Sequence, residues 1–275
     1  MKRMLLVITV VLLGLFVFSQ SLVIKGSNTV YPVAQAWAEE FKKENPDVNI
    51  TLEGAGSSTG IKALFNNQTD IANSSRWLKG SELQQMFEEG KYFVPFIIGY
   101  DGIAIIVNPS LPLDSITTDQ LKKIYTGEIT TWKQIHSDLP NTRIVLYSRD
   151  TASGTFEYFV EHVIEGERLV PYTQMLPSNR AEVEQVSQNK SAIGYVGMAY
   201  VTNEVKALKV EGVEPTLKNV NTGKYPISRP LFMFIDATNG LPKGLAWEFL
   251  QFGLSPKGQS LVLDVGYVNA YWTDK

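Results

Sequence analysis

Gly54-Ala55-Gly56-Ser57-Ser58-Thr59-Gly60-Ile61-Lys62-Ala63-Leu64-Phe65 leads out of an alternating apolar run and into a stretch with helical spacing, and its reading decides the fold. Glycines let the backbone approach a ligand closely. Ser57, Ser58 and Thr59 offer hydroxyls, and the amides at a helix start point outward with the positive end of the helix dipole behind them. Such a loop is either an anion cradle that needs no charged side chain or ordinary turn chemistry at a helix cap. Two further stretches favour the cradle. Gly26-Ser27-Asn28-Thr29-Val30-Tyr31-Pro32 and Ser148-Arg149-Asp150-Thr151-Ala152-Ser153-Gly154-Thr155-Phe156 again put small hydroxyl residues between an apolar run and a helical pattern.

Outward from the first cradle, Ser21–Ile24 reads as a strand and Val33–Lys43 as a helix with Val33, Ala36, Trp37 and Phe41 on one face. Val48–Leu52 alternates as a strand that feeds Gly54. Strand, loop, helix, repeated, is the grammar of an open α/β sheet, in which ligands sit at the carboxyl ends of strands. Asp70–Arg76 predicts a short strand and polar turn, and Ser81–Glu89 a helix capped by Ser81. Val94–Ile98 and Gly102–Val107 read as two buried strands. Asp101 between them belongs either to a Tyr100-Asp101-Gly102 surface turn or to a ligand site.

Beyond Asn108-Pro109 a second α/β unit begins. Helices are expected at Leu121–Tyr125, Phe156–Val163 and Val183–Gln188, and strands at Arg143–Tyr147 and Ala192–Val196. Thr130–Ile135 surrounds Trp132, and Val205–Val210 and Gly223–Ile227 read as strand and turn material. Pro230–Ile235 is a strongly apolar strand, followed by helices near Leu245–Phe252 and Pro256–Leu263. The segments Gly102–Val107 and Arg229–Ile235 are placed to cross between two lobes. The expected division is a signal peptide over 1–19, lobe I over 20–104, lobe II over 105–228 and a return to lobe I over 229–275.

With 275 residues, 44% hydrophobic and 19% charged, the chain has ample core material. A net charge of -3 supplies no basic surplus for nucleic acid. Met1-Lys2-Arg3 followed by the apolar run Met4–Phe18 has the shape of a secretory signal, shorter than the roughly 20 residues of a spanning helix. Cleavage near Ser19 would start the mature chain at Gln20. Without cysteine there is neither a disulfide nor an N-terminal lipid anchor, so a protein free in the periplasm is expected.

Taken together, these motifs resemble the periplasmic phosphate-binding component of the high-affinity phosphate ABC transporter over nearly the whole mature chain. The resemblance rests on Gly26–Pro32, Gly54–Gly60, Asp70–Arg76, Gly102–Pro109, Arg149–Thr155 and Ala192–Val196 in that order. It implies a two-lobed type II periplasmic-binding-protein-like α/β fold, each lobe an open mixed sheet flanked by helices, with the ligand in the cleft. The implied partners are inorganic phosphate and a membrane-embedded ABC permease; a monomer without cofactor is expected. Carried over, the phosphate ligands fall on Asn28, Thr29 and Val30 through hydroxyl and amide, on Ser57, and in the second lobe on Arg149, Ser153, Gly154 and Thr155. Ser75 stands in this set where some members place the aspartate that accepts the phosphate's proton. That departure leaves Asp101 as the substitute acceptor.

Other chemistries have thinner support. Gly56-Ser57-Ser58-Thr59-Gly60 fits a nucleophile elbow, but His136 and His162 are the chain's two histidines. His162 stands amid Glu157, Glu161 and Glu165 on a face that reads as exposed, which leaves a Ser58 hydrolase without a positioned base. Scattered carboxylates make no metal set. Trp37, Trp132, Trp247 and Trp272 read as core or interface aromatics. Arg149 also fits a salt bridge with Asp150, and Arg76 a surface charge. Sulfate, molybdate or tungstate stay open as the anion, because spacing does not separate tetrahedral oxyanions.

Overall fold

The computed structural model describes residues 20–271. The expected signal peptide and Trp272 lie outside the described residues. The chain runs β1 (Ser21–Gly26), α1 (Tyr31–Glu44), β2 (Asn49–Glu53), α2 (Ser57–Phe65), β3 (Ile71–Ser74), α3 (Gly80–Glu88) and the long β4 (Phe93–Val107). Next come β5 (Ser115–Ile116), α4 (Thr118–Thr126), β6 (Val145–Arg149), α5 (Gly154–His162), β7 (Gln174–Leu176), α6 (Asn179–Gln188), β8 (Ala192–Gly197), β9 (Lys206–Ala207), β10 (Lys209–Val210) and α7 (Leu217–Asn221). It returns through β11 (Ser228–Asp236), α8 (Gly244–Gly253), α9 (Pro256–Val265) and β12 (Val268–Asn269).

The main sheet has the order β2-β1-β3-β11-β4-β8-β6-β7. Strands β1, β2 and β3 are parallel, as are β8, β6 and β7, while β11 runs antiparallel to β3 and β4, and β4 antiparallel to β8. This is the mixed α/β architecture that the resemblance implies. The hydroxyl-rich loops follow β1, β2, β3 and β6, at the carboxyl ends of their strands.

Among the described residues the buried apolar side chains form four clusters, and the two largest bear on the site. Leu22, Trp37, Phe41, Ile98, Leu231 and Phe249 belong to one. Ile103, Trp132, Leu146, Phe159, Tyr195 and Ile227 belong to the other. Each buried side chain of this size contributes about 1.5–3 kcal/mol relative to exposure. The change of centre falls between Ile98 and Ile103 on β4 and between Ile227 and Leu231 at β11, where Asp101 and Arg229 lie.

Three expectations are corrected here. Val94–Ile98 and Gly102–Val107 are halves of one strand, so Asp101 is in a strand and not in a turn. The strand stays continuous because its partner changes: β11 pairs with it up to Gly102 and β8 takes over from Ile103. Helix α3 starts after Lys79, and its cap comes from Glu82, whose carboxylate accepts the Lys79 amide at 2.8 Å, leaving Ser81 inside the helix. Glu157 is not on an exposed face; its side chain is 13% exposed and turned toward Arg76 and Lys79. Trp37 and Trp132 are fully buried, and Trp247 packs half-buried against Phe96.

Candidate functional site

The starts of four helices meet at one place. Thr29, just before α1, touches Thr155 in the first turn of α5, Oγ1 to Oγ1 at 2.9 Å. Asn179, first residue of α6, donates from Nδ2 to Thr29 Oγ1 at 3.3 Å and to Asn28 Oδ1 at 3.0 Å. Helix α2 brings Ser57 against Gly154, where an added Cβ would collide with Ser57 Oγ and lie 2.7 Å from Ser75 Oγ. Gly56, at φ +131, admits the same approach from the other side, since a Cβ there would sit 2.5 Å from the Ala152 carbonyl. The Ser58 amide donates to that carbonyl at 3.2 Å. Four positive dipole ends thus converge, which is a setting for an anion.

Among the residues expected to bind, Thr29, Ser57, Ser75, Ser153, Gly154 and Thr155 are brought together and buried. Ser57 Oγ accepts the Ser75 amide at 3.1 Å and lies 3.4 Å from Ser75 Oγ. Ser153 caps α5, its Oγ accepting the amides of Thr155 and Phe156 at 3.2 and 3.4 Å. Two expected contacts are already engaged within the chain. The Val30 amide donates to Ser27 Oγ at 3.3 Å, and Asn28 Oδ1 accepts from both the backbone and the side-chain nitrogen of Asn179.

Arg149 is 1% exposed. Its Nε and Nη2 donate to the carbonyls of Leu176 and Pro177 at 3.3 and 2.9 Å, and its buried Nη1 has no hydrogen-bond partner. The expected alternative, a salt bridge to Asp150, is not formed: Asp150 Oδ1 accepts the Ala152 amide instead. Burial pulls the Arg149 guanidinium below its ordinary value, against the charges of Glu182 and Asp150. Glu182 is fully buried on α6, accepts the Tyr195 amide at 2.8 Å through Oε1, and keeps Oε2 unpartnered. Burial pushes its carboxyl up to about 8, with the Tyr195 amide and Arg149 opposing.

Asp101 is also fully buried, and its Oδ2 accepts from Nε and Nη2 of Arg229 at 3.1 and 2.8 Å while Oδ1 accepts the Met198 amide at 3.0 Å. Burial pushes this carboxyl above its ordinary value, with Arg229 and the Met198 amide opposing. Arg229 reaches on to Thr155 Oγ1 at 2.9 Å and the Gly154 carbonyl at 3.3 Å. Sequence reasoning missed Arg229 as a site residue. The signal was there: an acid and a base inside two largely apolar strands, which antiparallel pairing sets directly opposite each other. Asn179 and Glu182 carried no such signal, since a polar first turn after a capping Ser178 is ordinary helix chemistry.

At the mouth of the cleft Glu157 of α5 ties the two sides together. It pairs with Arg76 and with Lys79 at 2.6 Å, and accepts from Ser58 Oγ at 2.8 Å. Arg76 is 6% exposed and also pairs with Glu82 at 2.7 Å, so it is a buried tie and not a surface charge. His162 lies beside Tyr158 and Glu161, while Ser58 faces a carboxylate and a guanidinium.

A PBP superfamily domain model matches residues 19–257. The phosphate-binding protein PstS of Bacillus subtilis (strain 168) is 35% identical over 252 residues, covering 91% of this chain and 81% of that protein. The chain belongs to the PstS family. Another relative, protein SphX of Synechococcus elongatus, is 32% identical over 88% of this chain and 75% of its own length. A structure described as a phosphate ABC transporter substrate-binding protein with bound phosphate, from Clostridium perfringens, superposes with a TM-score of 0.85 at 36% identity, covering 92% of this chain and 100% of that one. An ABC-type phosphate transport receptor from Vibrio cholerae matches with a TM-score of 0.74 at 29% identity, over 90% and 99% of the two chains. In this PstS-family chain the helix starts and the buried Arg149 are therefore placed in a fold whose solved members include a phosphate complex.

Proposed function

We propose that this protein binds inorganic phosphate where the four helix starts meet and delivers it to a membrane-embedded ABC permease, without turning it over. The observation that carries the reading is Arg149: a buried guanidinium bonded to two carbonyls, with Nη1 unpartnered, beside convergent hydroxyls and amides. Leaving a buried charge uncompensated costs several kcal/mol, and a bound oxyanion offsets that cost. Each hydrogen bond to the anion contributes about 1.5–3 kcal/mol, so a handful gives micromolar or tighter binding. The names of the relatives favour phosphate over sulfate, molybdate and tungstate. Family and site alike favour binding over a Ser58 hydrolase.

The ligand set in this reading is Asn28, Thr29, Val30, Ser57, Ser75, Arg149, Ser153, Gly154 and Thr155, with Asp101 as acceptor of the phosphate's hydrogen. Asp101 Oδ1 holds a single donor, the Met198 amide, and keeps a lone pair for that role. Calorimetric titration with phosphate, sulfate and molybdate tests the reading: phosphate alone should bind tightly, and tight sulfate binding without phosphate uptake would overturn it.

Two lobes, 20–104 with 229–275 and 105–228, would close on the ligand, a division supported by the change of packing centre at Asp101 and Arg229 and by the Glu157 ties across the mouth. Solution scattering should give the mass of one chain and a smaller radius with phosphate; an unchanged radius counts against closure. Export with removal of residues 1–19 belongs to the same proposal, motivated by the basic start and apolar run. Among the described residues no helix is long and apolar enough to cross a membrane. A secreted chain that still carries Met1–Ser19 would refute the export step.

A further inference from the structure

Arg76 and Glu157 meet at the cleft mouth from differently packed parts of the chain. Ile61 and Leu64 of α2 form an apolar cluster with Leu78 and Phe234, whereas Phe159 of α5 belongs to the cluster of Ile103 and Trp132. Glu157 bridges the two with polar contacts. Its Oε1 accepts from Ser58 Oγ at 2.8 Å and pairs with Lys79 at 2.6 Å, and its Oε2 pairs with Arg76 Nε. The ties of Asn28 to Asn179 and Tyr200 also span the two proposed lobes, but they join neutral groups. A charge-assisted bond is roughly twice as strong as a neutral one, so Glu157 makes the stronger ties.

A guanidinium has five N–H hydrogens. Nη1 of Arg76 gives its two to the Trp77 carbonyl at 2.7 Å and to Glu82 Oε2 at 2.8 Å, and Nη2 gives its two to Glu82 Oε1 at 2.7 Å and to Ser58 Oγ at 3.0 Å. The fifth is on Nε, the atom paired with Glu157. Arg76 therefore has no hydrogen left for phosphate, and all but one of its partners lie on its own side of the cleft. Glu82 is fixed in turn, accepting the Lys79 amide at 2.8 Å. Glu157 thus lands on a cation that Glu82 and Trp77 already hold in place. When α5 withdraws, Glu157 and the groups it touched pass to water while the Arg76–Glu82 pair stays whole. Ser58 carries the tie toward the ligand: its Oγ stands between Arg76 and Glu157, its amide donates to the Ala152 carbonyl at 3.2 Å, and its neighbour Ser57 is the α2 residue expected to touch phosphate.

We propose that Glu157 is a positioning residue that sets how fast phosphate leaves: closing onto the Glu82-held Arg76, it keeps the starts of α2 and α5 together over the anion without touching it. The inference rests on the phosphate and closure readings and deepens them. Opening precedes release, so a tie made only in the closed form slows departure and does not hasten arrival. The carboxylate is also a negative charge at the mouth, so removing it does not slow an approaching anion.

The test is release of radiolabelled phosphate into excess unlabelled phosphate, with calorimetric affinity alongside, for wild type, Glu157→Gln, Lys79→Gln and Glu82→Gln. Glu157→Gln keeps the shape and removes the charge. Release should speed about ten- to hundredfold, with the association rate, taken as release rate over dissociation constant, unchanged or higher. Lys79 is half-exposed, so Lys79→Gln should speed release only about two- to threefold. Denaturant unfolding of the phosphate-free protein should match wild type for Glu157→Gln and come at lower denaturant for Glu82→Gln, whose bonds to Arg76 persist in the open form. Release at the wild-type rate in Glu157→Gln, or in Lys79→Gln should the first variant not fold, would overturn the inference in a protein that binds phosphate. So would an affinity loss carried by slower association, or a Glu157→Gln midpoint that falls as far as that of Glu82→Gln, since either marks a merely structural carboxylate. A wild type that binds no phosphate would remove the phosphate reading, and this inference with it.

Discussion

Arg149 and Arg229 are both about 1% exposed and both stand beside the same helix starts, yet their surroundings are opposite. Arg229 comes with a carboxylate set directly across the strand pair, and each of its guanidinium nitrogens has a partner in the chain. Arg149 has two carbonyls and an unpartnered Nη1, and the buried carboxyl that acts on it electrostatically, Glu182, is itself pushed toward the neutral form. The difference teaches which arginine serves the fold and which serves the ligand. A charge compensated within the chain holds neighbours in place, and one left short of compensation finds it in an anion.

The comparison breaks most visibly at Arg229. Arg229→Met leaves Asp101 buried without its partner, and should lower unfolding stability by about 3–5 kcal/mol in denaturant titration. If stability is unchanged, the pair is not what holds the centre of β4 and β11. Arg149→Met should act on binding first, weakening phosphate by about 2–5 kcal/mol, or roughly 30- to 5,000-fold, while costing less stability than Arg229→Met. Equal stability losses for the two variants would erase the distinction drawn between them.

A smaller effect sharpens the Arg149 side. The Glu182 carboxyl titrates at about 8 in the fold against an ordinary 4.5, so between those values the folded state binds the extra proton. Its contribution to stability is fully present below about 4.5 and is lost as pH rises through about 8, at up to roughly 1.4 kcal/mol per pH unit. Glu182→Gln should remove that slope in stability measured against pH. A variant whose slope matches wild type would show that Glu182 is ionised beside Arg149 throughout.

Much of this was legible in the sequence because it is local. The hydroxyl-rich loops announce helix starts, and Ser153 does cap α5 as small-residue chemistry suggests. Asp101 was visible as an oddity, but Tyr100-Asp101-Gly102 has turn composition, and the residue that keeps it in a strand lies 128 positions away. Glu157 misled in the same way. Its helical neighbours are charged, which suggests solvent, whereas its partners Ser58, Arg76 and Lys79 come from the other side of the cleft. Local propensity reads elements and caps; it does not read which buried charges meet. Arg149 stood between the two cases, since its loop marked it while its missing partner could be seen only in three dimensions.

The central claim, that Arg149 Nη1 takes a phosphate oxygen, is tested most directly by a crystal structure of the phosphate complex. The account predicts a phosphate oxygen at about 2.7–2.9 Å from Nη1, the charge-assisted range, with the Asp101–Arg229 pair intact beside it. Phosphate held by Arg229 away from Asp101, with Arg149 Nη1 still unpartnered, would contradict it.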